Sequence, residues 1–334
     1  MEHLISVIVC TYNQEETIAR TLDSILMQQC HVPYEIVIGE DCSKDQTLNV
    51  CQAYKRKHPD IIRIIANEEN KGLVENYFNC IQACRGEFIA DCAGDDFWTD
   101  PLKLEKEVCI LESRPDVTLV HTNWASFCEA TNKSYPNTQE TFPDSFTSGQ
   151  RMLEAIITQR KTPIIQLCTS LYRSSIILEA LQDDKESYIN NDFGCEDLQI
   201  AFLMASKGNI AYIPEVTLNY SQGKVSISNP ESHIKRFLFT RRISSLSFYL
   251  ATRNNINTEH SRKYFSWRIY ELGMHAFRAH NEQLFQETIQ CEHNWNAYRK
   301  TRTKILFFTM RHHRLWSWGL TIRGVFVILK QLCH

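Results

Sequence analysis

The first half of the chain alternates short apolar runs with amphipathic stretches, at the spacing of a doubly wound α/β fold. Residues 5–9 (Ile-Ser-Val-Ile-Val) predict a short strand of the kind parallel sheets bury on both faces. Ile18, Leu22, Ile25 and Leu26 then recur at i, i+4, i+7 and i+8 and predict a helix. Residues 35–38 predict a second strand, 47–57 a second helix and 61–65 a third strand. Val74, Tyr77, Phe78 and Ile81 mark a third helical stripe, which leads into an apolar strand at Phe88-Ile89-Ala90. Asp100-Pro101 reads as an N-cap followed by proline at the first helical position, and residues 117–120 predict a further strand. The rhythm then breaks. Residues 129–149, rich in Thr, Ser, Asn and Pro, read as a long surface loop. From Ser232 onward the pattern is helical, aromatic-rich and without clear strands. A boundary near 230 therefore divides a sheet-containing domain, residues 1–230, from a helical region, residues 231–334.

Composition sharpens this picture in three places. Hydrophobic residues make up 43% of 334, ample for a core, and a net charge of −3 argues against a general nucleic-acid binder. The charge is uneven: from Cys291 to the end, eight Lys and Arg stand against one acid, Glu292. Thirteen cysteines lie scattered without CxxC pairs or zinc-finger spacing, which fits a reducing compartment. Met1-Glu2-His3 lacks the basic region of a signal peptide, so a cytoplasmic protein is expected.

The chemistry concentrates at Gly94-Asp95-Asp96-Phe97-Trp98, directly after the strand at 88–90. Adjacent carboxylates at the end of a buried strand are costly unless a positive charge neutralises them. An oxygen-only pair suits Mg²⁺ or Mn²⁺, and such an ion commonly carries a diphosphate. Asp91 alternates towards the sheet and reads as structural. Three other segments are less specific. Thr11-Tyr12-Asn13-Gln14-Glu15-Glu16 follows the first strand, where it either holds a nucleoside base or merely turns the chain into a helix. Gly39-Glu40-Asp41 follows the second, as a ribose or uracil acceptor or a capped turn. Cys195-Glu196-Asp197-Leu198 opens a helix whose dipole stabilises both acids whether or not they do chemistry. No GxGxxG follows a strand and no GxxxxGK[ST] occurs, which removes dinucleotide and P-loop folds. His121, His233 and His275 read as isolated, structural or exposed.

Taken together, six ordered segments resemble the family 2 glycosyltransferases over roughly residues 4–230. They are Ser6-Val7-Ile8-Val9-Cys10-Thr11-Tyr12-Asn13, Leu22-Asp23-Ser24-Ile25-Leu26, Glu40 to Thr47, Asn70-Lys71-Gly72-Leu73, Gly94 to Trp98 and Glu196-Asp197. The resemblance implies a GT-A fold: a doubly wound, mostly parallel sheet flanked by helices, here with a helical C-terminal appendage. It also implies a nucleotide-diphosphate-sugar donor, a divalent metal (Mn or Mg) and inversion at the anomeric carbon. Carried over, it places Thr11, Tyr12 and Glu15 in the nucleoside pocket and Asp41 against the base or ribose. Asp95 and Asp96 fall on the metal- and sugar-binding carboxylates, Asp197 on the general base, and Glu196 on its weaker neighbour. The chain departs from the family at Ala93, where many members carry an acid. It departs again after the last strand, where Lys224 rather than a His is available to meet the diphosphate.

The segment from Leu315 to Leu329 is apolar, interrupted by Arg323 and preceded by Arg311 and Arg314. Its runs are too short to span a bilayer, and it reads as an interfacial anchor or as a core helix with a basic side. The expectation is thus an inverting, metal-assisted transferase acting on a glycan or lipid-linked glycan in surface polysaccharide synthesis, cytoplasmic or peripheral at the inner membrane face. The rival is a catalytically inactive sugar-nucleotide or glycan-binding protein on the same fold.

Overall fold

The structure, a computed structural model, describes residues 4–138, 144–159, 164–190, 192–222, 232–312 and 314–317. The chain divides into two compact units, Met1–Gly223 and Lys224–His334.

The first unit is built on one sheet. Its N-terminal strands are β1 (Ile5–Thr11), β2 (Tyr34–Glu40), β3 (Ile62–Ala66) and β4 (Phe88–Asp91). Helices α1 (Ile18–Leu26), α2 (Thr47–Lys57) and α3 (Leu73–Ala83) connect them, α1 and α3 along the apolar stripes read in the sequence. β5 (Phe97–Trp98) and α4 (Lys103–Ser113) follow, then β6 (Val117–Cys128), β7 (Lys133–Pro136) and β8 (Phe146–Ser148). The chain continues through α5 (Gly149–Ile157), β9 (Ser170–Arg173), α6 (Ser174–Tyr188), α7 (Glu196–Lys207) and β10 (Asn209–Gln222).

The strand order is β3-β2-β1-β4-β9-β6-β10-β5, with β7 on β6 and β8 on β10. β1, β2, β3 and β4 pair in parallel, as do β6 and β10. β9 runs antiparallel to both β4 and β6, so the six long strands all point the same way. Their C-terminal ends therefore line one edge of the sheet, where open α/β folds hold ligands. β1 is completely apolar on the core side, with Ile5, Val7 and Val9 at 0% exposure, and its row is extended by Ile36, Ile38 and Phe88.

Two expectations are corrected here. Residues 129–149 are not a plain loop: β7 and β8 lie within them, pairing antiparallel with β6 and β10. The alternation of that segment is too short and too polar to stand out in sequence. The helix expected from Pro101 begins at Lys103 instead, because Asp100 caps a preceding turn, accepting from the Leu102 N–H at 2.9 Å.

Beneath β5 the side chains of Lys103 and Glu107 form an ion pair at 2.7 Å, both at 0% exposure. The ammonium also lies 4.5 Å from the Trp98 ring centroid. His121 is a core histidine packed against Tyr212, and burial lowers it to about 4.

The second unit is helical: α8 (His233–Arg253), α9 (Glu259–Ala279), α10 (Glu282–Asn294) and α11 (Thr301–Arg311). Ser232, Thr258 and Asn281 cap the first three, Thr258 through a full capping box with Ser261. Phe265, Phe285, Phe307 and Trp316 fill its core, and the Trp316 indole N–H donates to the Phe277 carbonyl at 2.9 Å. Trp316 is therefore a packing residue rather than an anchor; the segment beyond Ser317 lies outside the described residues. His233 and His275 are not isolated, their ring centroids being 5.8 Å apart. Burial, then His233, Arg278 and Arg236 nearby, hold His275 down to about 4.

Candidate active site

The site grows from one helix gripping one turn. After β4 the chain folds tightly, with the Asp96 N–H donating to the Ala93 carbonyl at 3.0 Å. Three polar side chains on and just before α1, at positions i, i+3 and i+4, then hold three successive carbonyls of that turn. Thr17 Oγ1 donates to Gly94 O at 2.9 Å, Arg20 Nη2 to Asp95 O at 3.0 Å, and Thr21 Oγ1 to Asp96 O at 2.7 Å. Gly94 is required by proximity: a Cβ there would lie 2.9 Å from Thr11 Cβ and 2.4 Å from Gln14 Oε1.

Arg20 ties this turn to the neighbouring strand ends. Its guanidinium also reaches Ser221 at the end of β10 (3.1 Å) and Glu129 just beyond β6 (2.7 Å), and lies 4.3 Å from the Phe97 ring centroid. Ser221 itself donates to Asp95 O at 2.6 Å. The shared direction of β1, β4, β6 and β10 is what places these groups within reach of one another.

The carboxyl groups so positioned are under electrostatic stress. Asp96 is 1% exposed; its Oδ1 accepts from the Ser221 N–H at 2.8 Å, while its Oδ2 is buried without a partner. Burial, then the adjacent Asp95, pushes it well above the usual carboxylate range. Asp95 is raised as well, by burial, against the opposing pull of Arg20. Asp197, in the first turn of α7, is raised to about 6 by burial. Its charge also acts on Asp96 and Asp91, so α7 presents its acids towards the turn. Glu196 is raised well above its ordinary range by burial and by Asp197, and its Oε2 has no partner. A buried carboxylate oxygen without a donor, beside further carboxylates, is a place a divalent cation fits. Asp95 and Asp96 offer it oxygen ligands.

The remaining expected residues are placed as follows. Thr11 is buried at the end of β1 and donates to Gln14 Oε1 at 2.8 Å, while Tyr12 is 41% exposed and presents its ring to solvent. Glu15 Oε2 accepts from the Gln46 N–H at 2.7 Å, so its carboxylate fastens the start of α2. Asp41 is also engaged within the protein. Its Oδ1 accepts from Asn67 Nδ2 and the Lys71 N–H, and its Oδ2 from the Gly72 N–H at 2.9 Å. That contact fixes the Asn70-Lys71-Gly72 turn, where Gly72 takes φ +82°, a conformation suited to glycine. Oδ2 keeps one acceptor position. Lys224 lies outside the described residues.

Sequence reasoning missed Arg20, Ser221 and the condition of Asp91. The polar positions 17, 20 and 21 beside the apolar stripe of α1 were the available signal for Arg20; Ser221 had none. Asp91 is buried as expected, with the Tyr77 and Tyr172 hydroxyls beside its carboxyl group. Burial raises it to about 8, and the flanking Tyr77 and Tyr172 hydroxyls hydrogen bond to each other at 2.7 Å.

Comparison with known proteins bears on the family and the fold. Residues 6–180, just over half the chain, match the glycosyl transferase family 2. An uncharacterized protein of Mycobacterium tuberculosis, Rv1520, is 40% identical over 114 residues, 34% of this chain and 33% of that one. The poly(ribitol-phosphate) β-N-acetylglucosaminyltransferase TarS of Staphylococcus aureus is 31% identical over 117 residues, 34% of this chain and 20% of that one. The matched stretch thus spans a third or less of these relatives. The structure of TarS residues 1–349 with UDP-GlcNAc superposes with a TM-score of 0.55 at 16% identity, covering 94% of this chain and 92% of that one. A Pyrobaculum calidifontis mannosyltransferase solved with GDP-Man and Mn²⁺ gives 0.53 at 16% identity, covering 95% and 86%. At such identities the likeness establishes the fold, a mostly parallel GT-A sheet flanked by helices with a helical C-terminal region.

Proposed function

The chain belongs to glycosyl transferase family 2, and on that premise we propose that it moves a sugar from a nucleotide-diphosphate-sugar to a hydroxyl of a glycan or lipid-linked glycan, with inversion. The observation that carries this reading is the convergence of Asp95, Asp96 and Asp197 at one sheet edge, with Asp96 Oδ2 buried and unpartnered. Asp95 and Asp96 would hold a divalent cation on the donor's diphosphate. Bound there, such an ion offsets the negative charge that grows on the leaving nucleoside diphosphate. Tyr12, Thr11 and the free acceptor position of Asp41 face the nucleoside, and Glu15 supports that pocket through the start of α2 rather than through a free carboxylate.

Asp197 removes the acceptor proton. An acceptor hydroxyl is a poor nucleophile until a positioned base takes its proton as the new bond forms. Held at about 6, the Asp197 carboxyl is ionised at neutral pH yet more basic than an ordinary aspartate. Glu196, its carboxyl raised well above the ordinary range by burial and by Asp197, is the weaker candidate for the same role. Lys224 follows the strand end at Ser221 and is read as a diphosphate contact.

UDP-GlcNAc in the TarS structure and GDP-Man in the mannosyltransferase support a nucleotide-sugar donor, and Mn²⁺ in the latter supports the cation. TarS, by its name a transferase to poly(ribitol phosphate), supports a role in surface polysaccharide synthesis. A cytoplasmic site with peripheral membrane contact accords with α11, whose outer face exposes Ile305 and Phe308 among Lys304 and Arg311. Among the described residues no helix is long and apolar enough to cross a membrane.

The test is release of nucleoside diphosphate from a panel of nucleotide sugars, with Mn²⁺, Mg²⁺ or chelator. One donor turned over with metal, and lost in Asp95→Ala, establishes the reading. Metal-dependent nucleotide binding with no turnover of any donor, acceptor glycans included, would instead favour the inactive binding protein to which the absent acid at Ala93 points.

A further inference from the structure

A second constellation lies at the opposite edge of the sheet, in the turn that leads from α1 into the start of β2. Cys30 and His31 occupy the turn, and Glu105, Cys109 and Glu112 recur at i, i+4 and i+7 along α4. One donor atom from each of Cys30, His31 and Glu105 lies within 4.8 Å of the others. His31 Nδ1 is 2.8 Å from Glu105 Oε2, and His31 Nε2 is 3.1 Å from Glu112 Oε2.

We propose that Cys30, His31 Nδ1 and Glu105 form a site for a zinc-type transition metal, with Glu112 orienting the imidazole and water in the fourth position.

Three observations carry it. The donor set is thiolate, imidazole and carboxylate, the combination that suits zinc and contrasts with the all-oxygen set of Asp95 and Asp96. The ring is already arranged as metal-bound histidines are: one nitrogen faces the other two ligands, and the second faces a carboxylate that fixes tautomer and orientation. The ligands also sit on a stapled frame. The His31 N–H donates to Glu105 at 3.0 Å, the Gln29 N–H to Pro101 O at 2.9 Å, and Gln28 joins Asp100 O and the Leu104 N–H. A bound ion would lock the α1–β2 turn onto α4.

The experiment titrates the full chain, stripped of metal, with Co²⁺ and then displaces it with Zn²⁺. One equivalent producing tetrahedral ligand-field bands and thiolate-to-cobalt charge transfer is expected. Cys30→Ser removes the charge-transfer band, and Glu112→Gln keeps it while weakening Zn²⁺ affinity about tenfold to a hundredfold. Asp95→Ala and Cys109→Ser leave the spectrum unchanged. In the native chain Zn²⁺ protects Cys30, not Cys109, from alkylation, as read by peptide mass spectrometry. The proposal is overturned by the absence of a stoichiometric spectrum in the native chain. A spectrum that survives in a Cys30→Ser, His31→Gln double variant, or one lost in Cys109→Ser, overturns it too.

Discussion

The Arg20 guanidinium donates to the Asp95 carbonyl at 3.0 Å, from a helix that precedes the aspartate by 75 positions in sequence. The same side chain reaches Ser221 and Glu129, so one cation aligns the ends of β10 and β6 with the acidic turn. Loss of that alignment shifts the carboxylates proposed to hold the cation on the donor's diphosphate, and a misplacement of about 1 Å can cost a hundredfold. Arg20→Ala is expected to lower kcat/KM by up to about a hundredfold. Arg20→Lys, which keeps the charge but not the fork, recovers only part of it. Steady-state kinetics with the donor identified from the panel decide the point.

Asp91 sets a pH dependence of stability. Its folded pKa of about 8 lies above the ordinary aspartate value of 3.8, so the folded chain holds a proton that the unfolded chain has released between those limits. Its contribution is therefore fully present below about 4 and is lost as pH rises towards 8. Asp91→Asn should flatten the decline by up to about 1.4 kcal/mol per pH unit in that window. Urea unfolding at several pH values between 5 and 8 checks the slope; an unchanged slope refutes the assignment.

The pair of Lys103 and Glu107 makes a sharper stability prediction. Both are wholly buried, and burial raises Glu107 to about 7 even beside Lys103, so removing Lys103 leaves an acid in the core without its partner. Lys103→Ala is expected to cost about 3–5 kcal/mol. Replacing both by apolar residues of similar volume, Lys103→Met with Glu107→Leu, restores most of the loss. Chemical denaturation of the two variants tests this, and a mild effect of the single change would mean that Glu107 takes up a proton once its partner is gone.

Membrane contact is predicted to run through α11 rather than through Trp316, whose side chain is buried at 2% exposure. Ile305 is 62% exposed and Phe308 58%. Ile305→Asp with Phe308→Asp should abolish co-sedimentation with vesicles of anionic lipid and leave circular dichroism unchanged. Equal binding by native and variant chains would remove α11 from the account.

How much of this was legible in the sequence follows from the range of each interaction. The stripe at Ile18, Leu22 and Ile25 and the run at Phe88-Ile89-Ala90 are local patterns, and the helix and strand formed where they stood. Asp95 and Asp96 were conspicuous because adjacent acids after a buried strand need compensation. What could not be read was reach. Arg20 to Ser221 spans 201 positions, and no periodicity encodes it. Asp41 and Glu15 look identical in sequence whether their oxygens face a ligand or a backbone N–H; only the structure shows Lys71, Gly72 and Gln46 already donating to them. The short strands β7 and β8 escaped because runs of four and three mostly polar residues carry no alternation worth the name.

The central claim is that Asp197 is the base of a sugar-transfer site whose donor is held separately by Asp95 and Asp96. The measurement that tests it compares native chain and Asp197→Asn for donor affinity, by calorimetry with Mn²⁺, and for nucleoside diphosphate release. The account predicts donor affinity unchanged within about twofold and turnover lowered by about a hundredfold to ten-thousandfold, the contribution of a positioned general base. Full turnover in Asp197→Asn would contradict it.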